Sequence, residues 1–346
     1  MLKFTDMTIK RIDDMNNFSS FLGKRVLITG ASGLIGRALT RKLLQYGAKV
    51  IAMVRNEQKA RATFSDIANG NIEYLVMDVT TAETIDVNVD YIIHGASITS
   101  SKAFIEEPVE VIMGAVIGTK NMLEIARVNN VKSFVYLSSM EVYGTPLDDT
   151  KILESNASNL NTMAPRSGYP ESKRLCECLC ASYAAQYGVP AKVVRLTQTF
   201  GEGVVYEDSR VFAEFARCVL EQRDIVLKTK GETKRNYLYT EDAANAIMTV
   251  LLFGTVGEAY NAANEDTYCS IYEMAQIVAN YFGQGKVKVR IEEENDISRF
   301  GFAPTLKMNL DCSKLKSLGW QAQVGLETAF ERMIEYMKKG KTKRRG

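Results

Sequence analysis

The segment LITGASGLIGRAL (27–39) places three glycines, Gly30, Gly33 and Gly36, directly between a β-rich run, RVLIT (25–29), and a helical pattern from Gly33 to Tyr46. Few short segments restrict a fold so strongly. Gly30 permits the tight turn out of the strand, Gly33 lets backbone approach a pyrophosphate, and Gly36 lets the helix pack close to the sheet. The first turn of that helix then offers unpaired N–H groups and a positive dipole end to phosphates. Placed after the first strand of a βαβ series, the glycines predict a dinucleotide site. Its expected contacts are Gly30, Ser32, Gly33, Leu34, Ile35 and Gly36.

The N-terminal half goes on alternating. KVIAMV (49–54), IEYLVM (72–77), YIIHG (91–95), SFVYLS (133–138) and KVVRL (192–196) read as strands, with long helices over 107–129 and 169–187. Strands recurring between helices predict an α/β fold with a doubly wound parallel sheet, covered on both faces. After Arg195 the rhythm is less regular. A helix over 209–222 precedes strands at IVLKT (225–229) and NYLYT (236–240), then helices at 240–252, 270–282 and 326–338. The expected division is an extension over 1–23, a Rossmann-type domain over 24–197 and about 233–254, and a smaller interleaved α+β lobe over 198–232 and 255–340. The basic end, KKGKTKRRG (338–346), reads as a solvated, frayed terminus.

Composition excludes several alternatives. A chain of 346 residues, 46% hydrophobic and 24% charged, is expected to be globular, with one large domain and a smaller partner. Lys plus Arg less Asp plus Glu gives 43 − 41 = +2, too small a surplus for a nucleic-acid binder. The start, MLKFTDMTIKRIDD, is charged throughout and does not read as a secretory signal, and apolar runs such as IMTVLLFG fall far short of a membrane span. The expectation is therefore a cytoplasmic protein whose six cysteines are reduced thiols. Cys176 and Cys180 share a helix face while Cys178 points away, and the single histidine lies far off, so no metal site is expected there.

The end of the second strand bears on cofactor choice. NAD sites commonly place Asp or Glu there to hold the ribose hydroxyls. This chain reads AMVRNEQKA (52–60), with Arg55 and no acid before Glu57. An arginine pairs bidentately with a 2′-phosphate, which favours NADP over NAD; the other role open to Arg55 is stacking on the adenine. Asp78, in LVMDVT (75–80), is placed to accept a hydrogen bond from the adenine amine.

Tyr169 and Lys173, in SGYPESKR (167–174), sit four residues apart at the start of a helix and share one face. A nearby ammonium and an oxidised nicotinamide favour the phenolate, lowering a tyrosine pKa that is ordinarily near 10. Ser139 leaves the fifth strand at its carboxyl end, where ligands bind in open α/β sheets, and its hydroxyl can reach the same sugar oxygen as Tyr169. His94 ends the fourth strand and reads as structural, since nothing places it beside a serine.

TGASGLIG (29–36), HGAS (94–97), SSMEVYG (138–144), YPESK (169–173) and RNYLYTEDAANAI (235–247) together make the chain resemble the extended short-chain dehydrogenase/reductases that act on nucleotide sugars. The resemblance covers residues 24–340 and leaves the first 22 unaccounted for. It implies a Rossmann domain with a C-terminal sugar-nucleotide lobe, and a homodimer through two helices per subunit. It casts Ser139, Tyr169 and Lys173 as the catalytic set, with Lys173 also holding the nicotinamide ribose. It adds Val79, Gly95, Ala96 and Ser97 to the cofactor contacts. For the substrate it implies Thr99, Gln198 and Ser139, with Arg210 and Arg235 against the diphosphate.

The chain also departs from that family. Members that remove water across sugar carbons 5 and 6 have Asp-Glu after the catalytic Thr; here the pair is Met140-Glu141. A thioether cannot donate a proton, so the dehydratase's general acid is missing. Gln198 stands where Asn is common, Glu202 where proline is common, and Ala115 where Asn is frequent. Met140 and Arg55 together point to an NADPH-dependent reductase of a 4-keto-6-deoxyhexose nucleotide, such as a dTDP-sugar, in surface-polysaccharide synthesis. A 4-epimerase or UDP-glucuronate decarboxylase with tightly bound NAD is the alternative, and would give Glu141 work as a base. A non-catalytic NADP-binding scaffold is a third reading, which the retention of Tyr169 and Lys173 opposes.

Overall fold

The computed structural model describes residues 18–67, 71–82, 85, 87–294 and 305–343. The first half runs β1 (Arg25–Thr29), α1 (Leu34–Gln45), β2 (Lys49–Val54), α2 (Glu57–Thr63), β3 (Ile72–Val76) and β4 (Tyr91–His94). It continues through α3 (Ala103–Glu106), α4 (Pro108–Val128), β5 (Ser133–Ser139), α5 (Gly168–Tyr187) and β6 (Ala191–Leu196). The second half holds β7 (Gln198–Phe200), α6 (Val211–Glu221), β8 (Ile225–Leu227), β9 (Lys234–Tyr239), α7 (Thr240–Phe253) and β10 (Ala259–Ala262). It closes with β11 (Asn264–Ser270), α8 (Ile271–Phe282), β12 (Val289–Ile291), β13 (Lys307–Met308), α9 (Ser313–Lys316) and α10 (Leu326–Lys343).

Seven strands form the central sheet in the order β10-β6-β5-β4-β1-β2-β3, with every pairing parallel. Its inner strands are buried on both faces, β4 along its whole length, which is why they read as continuous apolar runs rather than alternating ones. Helices α4 and α5 pack together on one side, and α1 packs on α7. The strand order reverses between β1 and β4, so a crevice opens beyond their carboxyl ends.

Two strands fall on the other side of the expected division. The run NYLYT lies largely in β9, which belongs to a second sheet with β7, β11 and β13. AYNA (259–262), expected in the lobe, returns to the central sheet as its seventh strand, β10, beside β6. The short runs gave no hint of partner, because pairing is set by where α7 delivers the chain. Phe18 and Phe21, expected in the N-terminal extension, are buried: Phe18 lies edge-on to Tyr46 at 5.2 Å and Phe21 to Tyr91 at 5.6 Å. The rest of the extension, residues 1–17, lies outside the described residues. At the other end α10 continues to Lys343, so most of the basic terminus is helical rather than frayed; residues 344–346 lie outside the described residues. Among the described residues, no helix is long and apolar enough to cross a membrane.

Candidate active site

The glycine loop lies at the switch point. Gly30 has φ +71°, and a Cβ there would sit 3.0 Å from the backbone of Gly95 and Ala96 just past β4. A Cβ on Gly36 would meet the carbonyl oxygen of Gly30 at 2.2 Å. The Thr29 hydroxyl ties the two strand ends together by accepting from the amides of Gly95 at 3.1 Å and Ala96 at 3.0 Å. Gly33 caps α1 without a side-chain bond, leaving the helix N-terminus open to phosphate. A cradle of bare backbone of this kind fits a dinucleotide.

At the adenine end, Arg55 is 80% exposed and its guanidinium lies 3.8 Å from the Asp78 carboxylate. Asp78 accepts from the Thr80 amide at 2.8 Å and hydroxyl at 2.7 Å, bonds that hold its carboxyl below the usual range. Val79 packs against Gly118 of α4. His94 is fully buried with Nδ1 2.7 Å from the Thr29 hydroxyl. That hydroxyl already accepts two amides, so its proton goes to Nδ1 and the histidine is the Nε2–H tautomer. Burial, then the charge of Lys173, pushes His94 down to about 3, so it remains neutral.

Ser139 ends β5 and caps the 3-10 turn Met140–Tyr143, its Oγ accepting from the Glu141 amide at 3.2 Å. Tyr169 and Lys173 occupy the first turns of α5 and are both buried. Phe104 of α3 stacks on Tyr169, with ring centroids 4.2 Å apart and planes at 18°. Lys173 Nζ donates to the Leu137 carbonyl at 2.9 Å and stands 5.8 Å from the Tyr169 ring centre. Burial pushes the Tyr169 hydroxyl well above its ordinary value and the Glu141 charge adds to this, while a hydrogen bond with Ser139 and the Arg166 charge pull it back. Among the protein's own groups burial outweighs the charges, so the lowering expected from Lys173 together with an oxidised nicotinamide is not produced by the lysine alone. Desolvation dominates, and it also weakens the expected helper, bringing Lys173 down to about 8.

Glu141 is held by Arg166 through two bonds, Nη1 to Oε2 at 2.8 Å and Nη2 to Oε1 at 3.1 Å. The Arg166 guanidinium lies 5.0 Å above the Phe104 ring. Neither Arg166 nor Phe104 was singled out from the sequence. The one available signal was an arginine three residues before Tyr169, in APRSGY (164–169). Met140 is buried with its Sδ accepting from the Thr197 hydroxyl at 3.4 Å, so its thioether faces the core.

Among the expected substrate contacts, Arg210 is committed to Asp208, Nε to Oδ1 at 3.0 Å and Nη2 to Oδ2 at 2.6 Å, and lies over Phe212. Arg235 on β9 has a buried Nε with no hydrogen-bond partner among the described residues. Gln198 opens β7 opposite Tyr237, and Thr99 is exposed between β4 and α3. Ala115 is buried and its carbonyl receives the Cys176 thiol at 3.3 Å. Cys176 and Cys180 are buried and Cys178 is exposed. No group of three or more metal-ligating side chains occurs among the described residues.

A doubly wound sheet, a glycine cradle at its switch point and a Ser-Tyr-Lys set whose tyrosine and lysine are buried define a nicotinamide-dependent oxidoreductase of the short-chain type. The model of the NAD dependent epimerase/dehydratase family matches residues 26–263, and the chain belongs to that family. UDP-glucuronic acid decarboxylase 1 of Xenopus tropicalis is 31% identical over 319 residues, covering 91% of this chain and 72% of the relative. An epimerase of the methanogen Methanothermobacter thermautotrophicus superposes with TM-score 0.81 at 24% identity, covering 97% of this chain and 98% of that one. The dTDP-glucose 4,6-dehydratase of Streptomyces venezuelae, solved with NAD bound, superposes with TM-score 0.76 at 23% identity, covering 92% and 98%. The chain is thus an enzyme of nucleotide-sugar metabolism that uses a nicotinamide cofactor.

Proposed function

We propose that the protein decarboxylates a UDP-hexuronate, oxidising and re-reducing carbon 4 within one turnover. The observation that carries this reading is the composition of the site: Tyr169 is flanked by the Glu141–Arg166 pair, and no acid stands at position 140. The similarity to a UDP-glucuronic acid decarboxylase supports it. It departs from the reductase that the sequence favoured.

The nicotinamide supplies the hydride acceptor, and later the donor, at carbon 4. Tyr169 takes the carbon-4 hydroxyl proton and Ser139 steadies that oxygen. A ketone at carbon 4 makes the carbon-6 carboxylate a β-keto acid. Breaking the C5–C6 bond releases carbon dioxide and sends its electron pair into a C4–C5 enolate, whose oxygen Tyr169 protonates. Carbon 5 then takes a proton from solvent as the enol O–H returns its proton to Tyr169, and the restored carbon-4 ketone is re-reduced with that proton going back to its oxygen. No step needs the acid that Met140 replaces. Arg235, with its idle buried Nε, is the proposed diphosphate contact, whereas Arg210 must first leave Asp208. Exposed Val109, Met113 and Leu175 on α4 and α5 support a homodimer through those helices, which light scattering would test.

A second reading, an NADPH-dependent 4-keto reductase, is favoured by one observation: the Arg55 guanidinium is exposed and held by a long 3.8 Å ion pair with Asp78, which a 2′-phosphate would displace. Incubation with UDP-glucuronate, monitoring carbon dioxide and UDP-pentose, decides between the two, together with identification of the cofactor released on denaturation. Inertness toward UDP-glucuronate, with NADPH-driven consumption of a 4-keto-6-deoxy sugar nucleotide, would establish the reductase instead.

A further inference from the structure

The Glu141–Arg166 pair shares its two-pronged geometry with Arg41–Asp66 and is set apart by standing beside Tyr169, on which both of its charges act. Both terminal nitrogens of the guanidinium meet both oxygens of one carboxylate, at 2.8 and 3.1 Å. The two side chains keep 27% and 23% of their surface exposed, so solvent reaches the pair although Tyr169 beside it is buried. Arg166 is fixed from behind by its place in the short 3-10 turn Pro165–Ser167, immediately before α5, and by the Phe104 ring 5.0 Å away. Phe104 in turn stacks on Tyr169. The arginine fork is therefore tied to the acid–base residue through one ring and three residues of chain.

A planar fork of this geometry is matched to a carboxylate, whichever molecule supplies it. The pair is also incompletely satisfied, since Arg166 Nε is buried without a hydrogen-bond partner among the described residues. A guanidinium left with an idle buried donor gains by taking up a better-placed acceptor.

We infer that Arg166 is the residue that reads the substrate's carboxylate, and that Glu141 occupies its fork only until a carboxylate ligand arrives. Exchange of one carboxylate for another conserves the ion pair and leaves Glu141 free beside Ser139. Specificity follows from the same contact, because a sugar nucleotide with a neutral carbon 6 offers nothing to displace Glu141. This inference rests on the decarboxylase reading, and it names the group by which such an enzyme separates uronates from neutral hexoses.

The test is calorimetric binding of three ligands, UDP-glucuronate, UDP-glucose and UDP-xylose, to the cofactor-loaded parent and to Arg166→Gln, Arg166→Lys and Glu141→Gln. Arg166→Gln is expected to weaken UDP-glucuronate roughly ten- to hundredfold while changing UDP-glucose and UDP-xylose by less than about threefold. Arg166→Lys, which keeps the charge and loses the fork, falls between. Glu141→Gln acts in the opposite direction, tightening UDP-glucuronate selectively by removing the internal competitor. Equal losses for all three ligands in Arg166→Gln, or weaker UDP-glucuronate binding in Glu141→Gln, overturn the inference. A parent that converts UDP-glucuronate yet shows either of those patterns refutes the role of Arg166 alone; a parent inert toward UDP-glucuronate removes the reading beneath it.

Discussion

Lys173 is anchored to the strand rather than to the tyrosine: its Nζ donates to the Leu137 carbonyl at 2.9 Å while standing 5.8 Å from the Tyr169 ring centre. The bond joins α5, which carries Tyr169, to the end of β5, where Ser139 lies two residues on. One lysine thus ties the helix that carries Tyr169 to the strand that ends in Ser139, the two halves of the proposed catalytic set.

Burial brings Lys173 down to about 8, so its charge is present below that pH and lost above it. The protonated amine is the form that favours a phenolate at Tyr169. Turnover is expected to fall on the alkaline side with an apparent pKa near 8. Lys173→Arg, whose guanidinium does not titrate there, is expected to be slower yet free of that alkaline limb. A pH–rate profile of both proteins checks this, and an identical limb in the variant would assign the titration elsewhere.

Tyr169→Phe removes only a hydroxyl and keeps the stack on Phe104. Turnover should drop about 10²- to 10⁴-fold, the range for loss of a positioned acid–base group. Melting temperature and cofactor uptake should stay at the parental values. Steady-state kinetics beside a thermal melt separates the two effects.

Gly36→Ala would drive a methyl to 2.2 Å from the Gly30 carbonyl oxygen and 2.7 Å from Ala31 Cα. Both obstacles are backbone, so α1 must move away from the loop. A loss of at least ~1–3 kcal/mol is expected, with cofactor affinity falling further because the helix N-terminus shifts off the phosphates. Chemical denaturation and cofactor titration measure the two parts. A variant with parental stability and affinity would show that the loop relaxes freely.

Lys192 is buried at the start of β6, at the opposite end of that strand from Leu196, which pairs with Ser139, and it donates to the Ser133 hydroxyl and the Leu251 carbonyl, both at 2.9 Å. Burial lowers it to about 8 from an ordinary 10.5. Between those values the unfolded chain binds the extra proton, so folding is penalised fully below pH 8 and the penalty disappears as pH rises to 10.5. Lys192→Met is expected to raise the melting temperature by a few degrees near neutral pH, on the order of 1–3 kcal/mol. The advantage should shrink as pH rises through that window, which melts recorded from pH 7 to 10 would show.

Local chemistry made much of this protein readable from its sequence. Three glycines between a strand and a helix have few other uses, and parallel strands announce themselves because burial on both faces demands unbroken apolar runs. Tyr169 and Lys173 were legible for a similar reason, since a four-residue spacing on a helix fixes a shared face before any tertiary contact forms. Tertiary structure decided what depends on distant partners. AYNA joined the central sheet because α7 returns it beside β6. Arg210 turned to Asp208 while the buried Nε of Arg235 was left without a partner among the described residues. The protein's own groups raise the tyrosine's proton affinity, because desolvation depends on the whole burial shell and Phe104 belongs to that shell. Met140 excluded an acid by its chemistry alone. That Glu141 beside it meets Arg166, twenty-five residues along the chain, was settled only when the turn before α5 folded back over β5.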